Sequence, residues 1–371
     1  MVKEHRYAVI MAGGQGTRFW PLSRKRRPKQ VLKIFGGKSL IQETLSRILP
    51  LFGRDKILVV TVKDQYSEIR KQLPFLPKNN FLIEPQGNNT APCIGLAAME
   101  LAARDPRAIM TVLPADHWIS NPVRFRRTLN AALSLTQSHE SLLTLGIRPS
   151  HPETGYGYIV KGRAVRGPSG LLAHQVKAFK EKPNLREATR LVKSGSLWNS
   201  GIFVWKVSTL FAMMQRFAPR VYHGLHKIKE GTHGKRLTTL TPGVRRVLQR
   251  EYKKMPNISI DHAVLEKAGS KGKVLTMEAK FPWSDLGSWA ALHEFLPKDK
   301  KGNAAIGQWL GIDSRGCLVY SRNRLVVLIG MQGVTVVDTP DALLVGDINR
   351  AQDIRKAVSR LERYGHGKLV K

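Results

Sequence analysis

Only two cysteines, Cys93 and Cys317, occur in 371 residues, and this excludes a disulfide scaffold. No apolar stretch reaches the ~18 residues of a membrane span. The first apolar run, Tyr7 to Ala12, is too short for a secretory leader and gives way to glycines instead of a cleavage site. The expectation is a soluble protein of the reducing cytoplasm. Carboxylates are scarce: 27 Asp and Glu stand against 61 Lys and Arg, a net charge of +34. Residues 1–289 carry most of the excess, 48 basic against 19 acidic, while residues 290–371 hold 13 and 8. Such a field draws nucleic acid, anionic lipid or phosphate-bearing small molecules without choosing among them, and a generally basic surface has the same composition. Aromatics, at 7%, are not interleaved with the basic residues as a base-stacking surface requires. A Gly-x-Ser-x-Gly elbow is missing, His223 and His226 lack the Glu of a zincin helix, and two cysteines cannot build a zinc knuckle. Hydrophobic residues nevertheless make up 42% and recur from end to end, so the chain is no disordered polycation. At ~150 residues per domain it is long enough for two or three.

Short β-prone runs alternate with helical patterns. Strands are expected at Tyr7–Met11, Ile57–Thr61, Phe81–Glu84, Ala108–Leu113 and Leu142–Ile147, and helices at Ser39–Leu49, Lys63–Leu73, Ala91–Arg104 and Val123–Gln137. Asn89 or Thr90 would cap the third helix, with Pro92 in its first turn. This alternation predicts an α/β fold with a mixed, mostly parallel sheet. Antiparallel additions are expected near Tyr158–Val160, Val176–Phe179 and Ile202–Trp205. Leu296–Asn303 reads as a linker. Beyond it come β runs at Cys317–Tyr320, Leu325–Ile329, Val334–Asp338 and Leu343–Val345, resembling a small strand stack, then a helix at Ala351–Arg363.

The first strand runs into Gly13-Gly14-Gln15-Gly16-Thr17-Arg18. Glycines there permit a tight turn and let backbone N–H groups approach an anion, although a plain turn would use them equally. A Walker loop needs Gly-Lys-Ser/Thr, and a dinucleotide fingerprint needs a third glycine and a later carboxylate; both patterns fail. Six basic residues follow within twelve positions, Arg18 to Lys29. Arg18, beside the glycines, and Lys29, braced by Pro28, are the ones placed against phosphate oxygens. Asp116 follows a strand end, where ligands collect in open α/β sheets, and Asp285 lies in Trp283–Trp289. Together they suit Mg2+, which takes one or two carboxylates plus phosphate oxygens, though a lone Asp in a turn is often a cap. Three further stretches read as site material or as ordinary turns: Glu84–Pro92, Phe179–Pro183 and Trp198–Phe203.

The run from Gly14 to Gln30, GQGTRFWPLSRKRRPKQ, closely resembles the signature of the sugar-1-phosphate nucleotidylyltransferases, specifically the mannose-1-phosphate guanylyltransferases. The likeness continues through EPQGNNTAPCIGLA, LPADHWI, TGYGYI, FKEKP, WNSGIFVW, SIDHAVLEK, WSDLGSW and VVDTPDALLV, in one order over nearly the whole chain. It implies a Rossmann-like nucleotidyltransferase domain, taken as residues 1–295, and a small C-terminal β-rich domain of left-handed β-helix character with a terminal helix, residues 303–371. It implies transfer of GMP from GTP to mannose 1-phosphate, supported by Mg2+. By that resemblance Gly13, Gly14, Gly16, Thr17 and Arg18 wrap the triphosphate, and Lys29 holds oxygens around the α-phosphorus. Asp116 and Asp285 hold the magnesium. Lys182 binds the sugar phosphate, Glu181, Asn199 and the Gly155 loop bind the hexose, and Asn89 and Thr90 help seat guanine. No specific nucleic acid and no membrane are expected as partners, and a homodimer is left open. A nucleotidylyltransferase for another hexose 1-phosphate or nucleotide is the near alternative, and a basic nucleic-acid-binding protein the distant one. The chain departs from the family pattern at Asn88, where an Arg is expected before the Asn-Thr pair. Longer relatives carry an isomerase domain; past Gly302 the only histidine is His366, so isomerase activity is not expected.

Overall fold

The computed structural model describes residues 4–238 and 241–370. The first half alternates as expected: β1 (Arg6–Met11), α1 (Leu40–Ile48), β2 (Ile57–Val62), α2 (Lys63–Gln72), β3 (Phe81–Glu84), α3 (Thr90–Arg104), β4 (Ile109–Pro114), β5 (Trp118–Ile119), α4 (Pro122–Ser138) and β6 (Leu142–Ile147). Then come β7 (Gly157–Arg166), β8 (Leu172–Glu181), α5 (Leu185–Lys193), β9 (Leu197–Lys206), α6 (Val207–Phe217), α7 (Pro219–Gly231) and α8 (Pro242–Tyr252). A π-helical turn, Asp261–Leu265, runs into α9 (Glu266–Gly269), followed by β10 (Val274–Ala279), β11 (Trp283–Ser284) and α10 (Trp289–Phe295). The C-terminal part holds β12 (Ala304–Ile312), β13 (Leu318–Ile329), β14 (Val334–Asp338), β15 (Leu343–Asp347) and α11 (Ile354–Arg363).

Nine strands form one sheet in the order β3-β2-β1-β4-β9-β6-β10-β8-β7. Strands β8 and β9 run against the other seven. Strand β7 also pairs with the start of β9, so β9, β6, β10, β8 and β7 close on themselves. Both faces are covered. On β1, Tyr7 and Val9 join the apolar layer under α3, α6, α7 and α8, while Ala8 and Ile10 join the one under α1, α2 and α4. Burial on both sides is why this strand reads as an unbroken apolar run instead of an alternation. Among the described residues no helix is long and apolar enough to cross a membrane.

The C-terminal strands coil in parallel, β12 on β13 on β14, with β15 returning antiparallel. Here the structure corrects the sequence reading. Cys317–Tyr320 and Leu325–Ile329 are not separate strands: Leu318–Ile329 is continuous, because β12, which has no counterpart in that reading, pairs along it through a register shift at Gly307/Trp309. The final helix starts at Ile354, since Ile348–Asp353 forms 3-10 turns opened by the Asp347 carboxylate, which accepts from Asn349 N at 2.7 Å. Leu296–Asn303, expected as a linker, holds neither helix nor strand and is ordered by a turn about Asp299. The Asp299 carboxylate accepts from the backbone N–H groups of Lys301 and Asn303, at 2.9 and 2.8 Å. A shared core then joins the C-terminal coil to the stretch after the glycine loop: Phe19 and Trp20 pack with Trp289, Leu318, Val337, Ile354 and Val358.

Candidate active site

The glycine loop leaves the carboxyl end of β1 with its backbone sorted by polarity. Gln30 Nε2 donates to the Ala12 and Gly14 carbonyls at 3.0 and 3.1 Å, and Ser23 Oγ to the Gly16 carbonyl at 2.8 Å. With the oxygens held, none of the backbone N–H groups from Gly13 to Arg18 donates to another group among the described residues. Consecutive free N–H groups form a concavity for an anion. Gly16 has φ +62°, and a Cβ there would overlap the Cβ of Lys29, so the loop closes only over glycine. The Arg18 side chain has no hydrogen-bond or ion-pair partner among the described residues. Gln30, which sequence reasoning passed over, is the brace of this loop.

Asp116 and Asp285 converge. The antiparallel pair β5–β11 sets Trp118 opposite Ser284, which brings the residues after β4 beside those after β11. Lys29 Nζ lies 2.7 Å from Asp116 Oδ2 and donates to the Asp285 carbonyl at 2.6 Å. Tyr156 Oη donates to Asp285 Oδ1 at 2.7 Å, and the Gly287 N–H donates to the same oxygen at 2.8 Å. Burial pushes the Asp116 carboxyl up, but the Lys29 ammonium and the His117 ring overcome this and hold it below the usual carboxylate range. Burial drives His117 down to about 4 against the pull of both aspartates, so its ring is neutral. Trp283 Nε1 donates to His117 Nδ1 at 3.1 Å, which leaves the ring proton on Nε2.

The second cluster lies around the end of β8. Lys182, a non-glycine residue at φ +48°, donates through Nζ to Glu181 Oε1 at 2.6 Å. Its backbone N–H donates to the Tyr156 carbonyl at 3.1 Å, tying this cluster to the aspartates. Asn199 Nδ2 donates to Asp261 Oδ1 at 2.9 Å, and Asn199 Oδ1 accepts from Thr144 Oγ1 at 3.0 Å. Burial, then the Glu181 charge, lifts the Asp261 carboxyl to about 6. Asp261 sits in the π-helical turn, a widening that re-aims side chains and is frequent at functional sites. Gly155 gives its N–H to Glu153 Oε1 at 2.6 Å. The glycine that abuts the cluster is Gly157, where a Cβ would come within 2.5 Å of Glu181 Oε2.

The third cluster follows β3. Asn89, at φ +67°, accepts from Thr90 N at 2.9 Å and is exposed. Thr90 Oγ1 accepts from Ile260 N at 2.8 Å, and Ala91 N donates to the Ile258 carbonyl. The first turn of α3 is therefore capped partly by the segment before Asp261. Asn88, the departure from the family pattern, is buried and holds the loop onto α8 by donating to the Tyr252 carbonyl at 2.9 Å. Glu84 lies under Gly13, with Oε2 3.3 Å from where a glycine Cβ would be. Burial raises its carboxyl to about 7, although Tyr252 Oη and Cys93 donate to it. Contacts thus run from Asp116 through Lys29, Asp285 and Tyr156 to Lys182 and Glu181, and from Asn199 through Asp261 and Ile260 to Thr90; Arg18 and Gly155 make no side-chain or backbone hydrogen bond or ion pair with these groups among the described residues. Glu84, His117, Tyr156 and Asp261 were missed as individuals. All four stand inside or beside quoted motifs, but only the fold reveals what they face.

A family model described as nucleotidyl transferase matches residues 7–302, and one described as MannoseP isomerase/GMP-like beta-helix domain matches residues 307–361. Mannose-1-phosphate guanylyltransferase from Klebsiella pneumoniae is 36% identical over 358 residues, covering 95% of this chain and 73% of the relative. Xanthan biosynthesis protein XanB from Xanthomonas campestris pv. campestris is 35% identical over 365 residues, covering 98% and 74%. A crystal structure of mannose-1-phosphate geranyltransferase from Thermus thermophilus superposes with a TM-score of 0.83 at 33% identity, covering 96% of this chain and 99% of that one.

Proposed function

Because this chain belongs to the nucleotidyl transferase family, and within it groups with the mannose-1-phosphate guanylyltransferases, we propose that it transfers GMP from GTP to mannose 1-phosphate. A phosphate oxygen of the sugar phosphate attacks the α-phosphorus, the bond from that phosphorus to the bridging oxygen breaks, and the electron pair leaves with diphosphate. The single observation that carries this is the position of Lys29: it spans Asp116 and Asp285 while its Cβ packs against Gly16 of the free N–H loop.

The attacking phosphate is already anionic, so no general base is needed, and none of the carboxylates is assigned that task. The residues instead align two anions and offset their repulsion. The loop Gly13, Gly14, Gly16 and Thr17 holds the triphosphate through its N–H groups, with Arg18 on the departing end. Lys29 binds oxygens of the α-phosphate. Lys182 takes the sugar phosphate, while Glu181, Asn199 and the Gly155 loop take sugar hydroxyls. Asn89 and Thr90 border the guanine. Residues 1–295 form the catalytic domain in this reading, and residues 303–371 a second, β-rich one.

Asp116 and Asp285 are the residues that would hold Mg2+. Each has one oxygen engaged, by Lys29 or by Tyr156 and Gly287, and one without a hydrogen-bond partner among the described residues. Among those residues no group of three or more His, Cys, Asp or Glu gathers for a metal. Two carboxylate oxygens completed by substrate phosphates and water match the preference of Mg2+. The ion supplies charge neutralisation at the phosphates when bound.

The test is a product assay on the purified chain with GTP, ATP or UTP against mannose 1-phosphate or glucose 1-phosphate. GDP-mannose and diphosphate in equal amounts are expected from GTP and mannose 1-phosphate. Turnover confined to glucose 1-phosphate, or to another nucleotide, would overturn the assignment.

A further inference from the structure

We propose that Arg355, on the C-terminal helix α11, is a second anion-binding residue of the nucleotide site, holding with Arg18 the terminal phosphates that leave as diphosphate. This rests on the glycine loop being the triphosphate seat, as proposed above. A cavity of about 360 Å3 opens between that loop and α11, lined by Gln15, Thr17, Arg24, Arg355, Ser359 and Glu362 among others. Gln15 and Thr17 bring unpartnered backbone N–H groups to its wall. The carboxylates nearby are committed elsewhere: Glu362 pairs with Lys25 at 2.6 Å, and Asp341 with Arg24 at 2.9 Å. The side chains of Arg18 and Arg355 have no ion-pair or hydrogen-bond partner among the described residues.

Two guanidinium groups held close without a carboxylate repel each other. The packing of α11 on Phe19 and Trp20 brings Arg355 to the segment that carries Arg18, and burial, then the Arg18 charge, pull Arg355 below the usual arginine value. An anion between them turns that repulsion into two charge-assisted interactions, and a diphosphate oxygen matches the planar fork of arginine. The arrangement is also preset. Ile354 and Val358, flanking Arg355 on α11, pack into the core with Phe19 and Trp20, the residues that follow Arg18. Trp20 Nε1 donates to the Leu369 carbonyl at 3.0 Å, and Lys25 N to the Val370 carbonyl at 2.9 Å. The Trp-Pro-Leu-Ser stretch is thus the seat on which the C-terminal helix docks, and the docked helix completes the anion site.

Inorganic diphosphate is titrated calorimetrically into the full chain as wild type, Arg355→Ala and Arg355→Lys, alongside steady-state KM values and melting temperatures. Arg355→Ala is expected to weaken diphosphate binding and raise the KM for GTP by about tenfold, the scale of one charge-assisted hydrogen bond. The KM for mannose 1-phosphate and the melting temperature should hold, and Arg355→Lys should recover part of the loss. Diphosphate bound equally by wild type and Arg355→Ala would overturn the proposal and leave the glycine-loop assignment standing. A variant that loses affinity for both substrates together with melting temperature would assign Arg355 a packing role and also overturn it. A wild-type chain that neither binds diphosphate nor turns over GTP would overturn the glycine-loop assignment itself.

Discussion

Lys29 and Asp285 lie 256 residues apart in the chain, yet Lys29 Nζ donates to the Asp285 carbonyl at 2.6 Å while resting 2.7 Å from Asp116 Oδ2. One buried ammonium therefore ties the Asp116 carboxylate to the backbone of Asp285, whose own carboxylate is held by Tyr156 and Gly287. Lys29→Met removes that ammonium with little change in volume. Turnover should fall by about 100-fold or more, the scale of a lost preorganised charge at a phosphoryl site. Burial then acts on Asp116 without its main opponent, so its carboxyl rises and the acid limb of the pH–rate profile moves to higher pH. Stopped-point assays from pH 4 to 8 read both effects; an unchanged limb would detach Lys29 from Asp116.

Asp285→Asn keeps an acceptor for Tyr156 and Gly287 and removes the charge. Turnover should be nearly abolished, with the residual rate needing far more magnesium, while the melting temperature stays close to wild type. Near-native activity at ordinary magnesium would refute the ligand role.

Gly16→Ala must place a Cβ into Lys29 at a left-handed backbone angle. A destabilisation of about 1–3 kcal/mol is expected from strain of this kind, accompanied by a raised KM for GTP. Chemical denaturation measures the first and kinetics the second. Gly14→Ala, where a Cβ meets nothing within 4 Å, is the control and should lose much less stability.

The Lys182 side chain is exposed, and among the described residues it pairs only with Glu181. Lys182→Ala should raise the KM for mannose 1-phosphate with little change in the KM for GTP. A shift confined to GTP would place this lysine at the wrong substrate.

Glu84 links pH to stability. Its carboxyl is raised from 4.5 to about 7 in the folded chain, so the folded state holds a proton that the unfolded state has released. That contribution is full below pH 4.5 and is lost as pH rises through 7, a change of up to about 3 kcal/mol. Glu84→Gln cannot make this loss. The melting temperature of the variant relative to wild type should climb between pH 5 and pH 8; a constant difference would mean that Glu84 does not titrate in this range.

Much of the sheet was legible because β1, β2, β4 and β6 are buried on both sides, and unbroken apolar runs between glycine and polar turns carry that signal. The glycine loop was legible for a local reason as well, since only glycine tolerates Gly16's backbone angle and the approach of Lys29. Strand β12 was not, because a strand in a parallel coil depends on neighbours stacked above and below it more than on its own pattern. Asp261 and Glu84 carry no local mark either: burial raises both carboxyls, with the distant Glu181 charge adding to it at Asp261, while hydrogen bonds from Asn199 and Tyr252 only partly oppose the rise.

By itself the sequence determined which chemistry was available: a phosphate-seeking turn, a surplus of cations and a few carboxylates placed after strand ends. It did so because backbone tolerance, charge and strand periodicity are properties of neighbouring residues. The tertiary structure alone decided that Asp116 and Asp285 share Lys29, and that Arg355 faces the loop from the far end of the chain. Those pairings arise where β5 meets β11 and where α11 packs on Phe19 and Trp20, and contacts of such long range are set by the burial of whole surfaces, which no local pattern records.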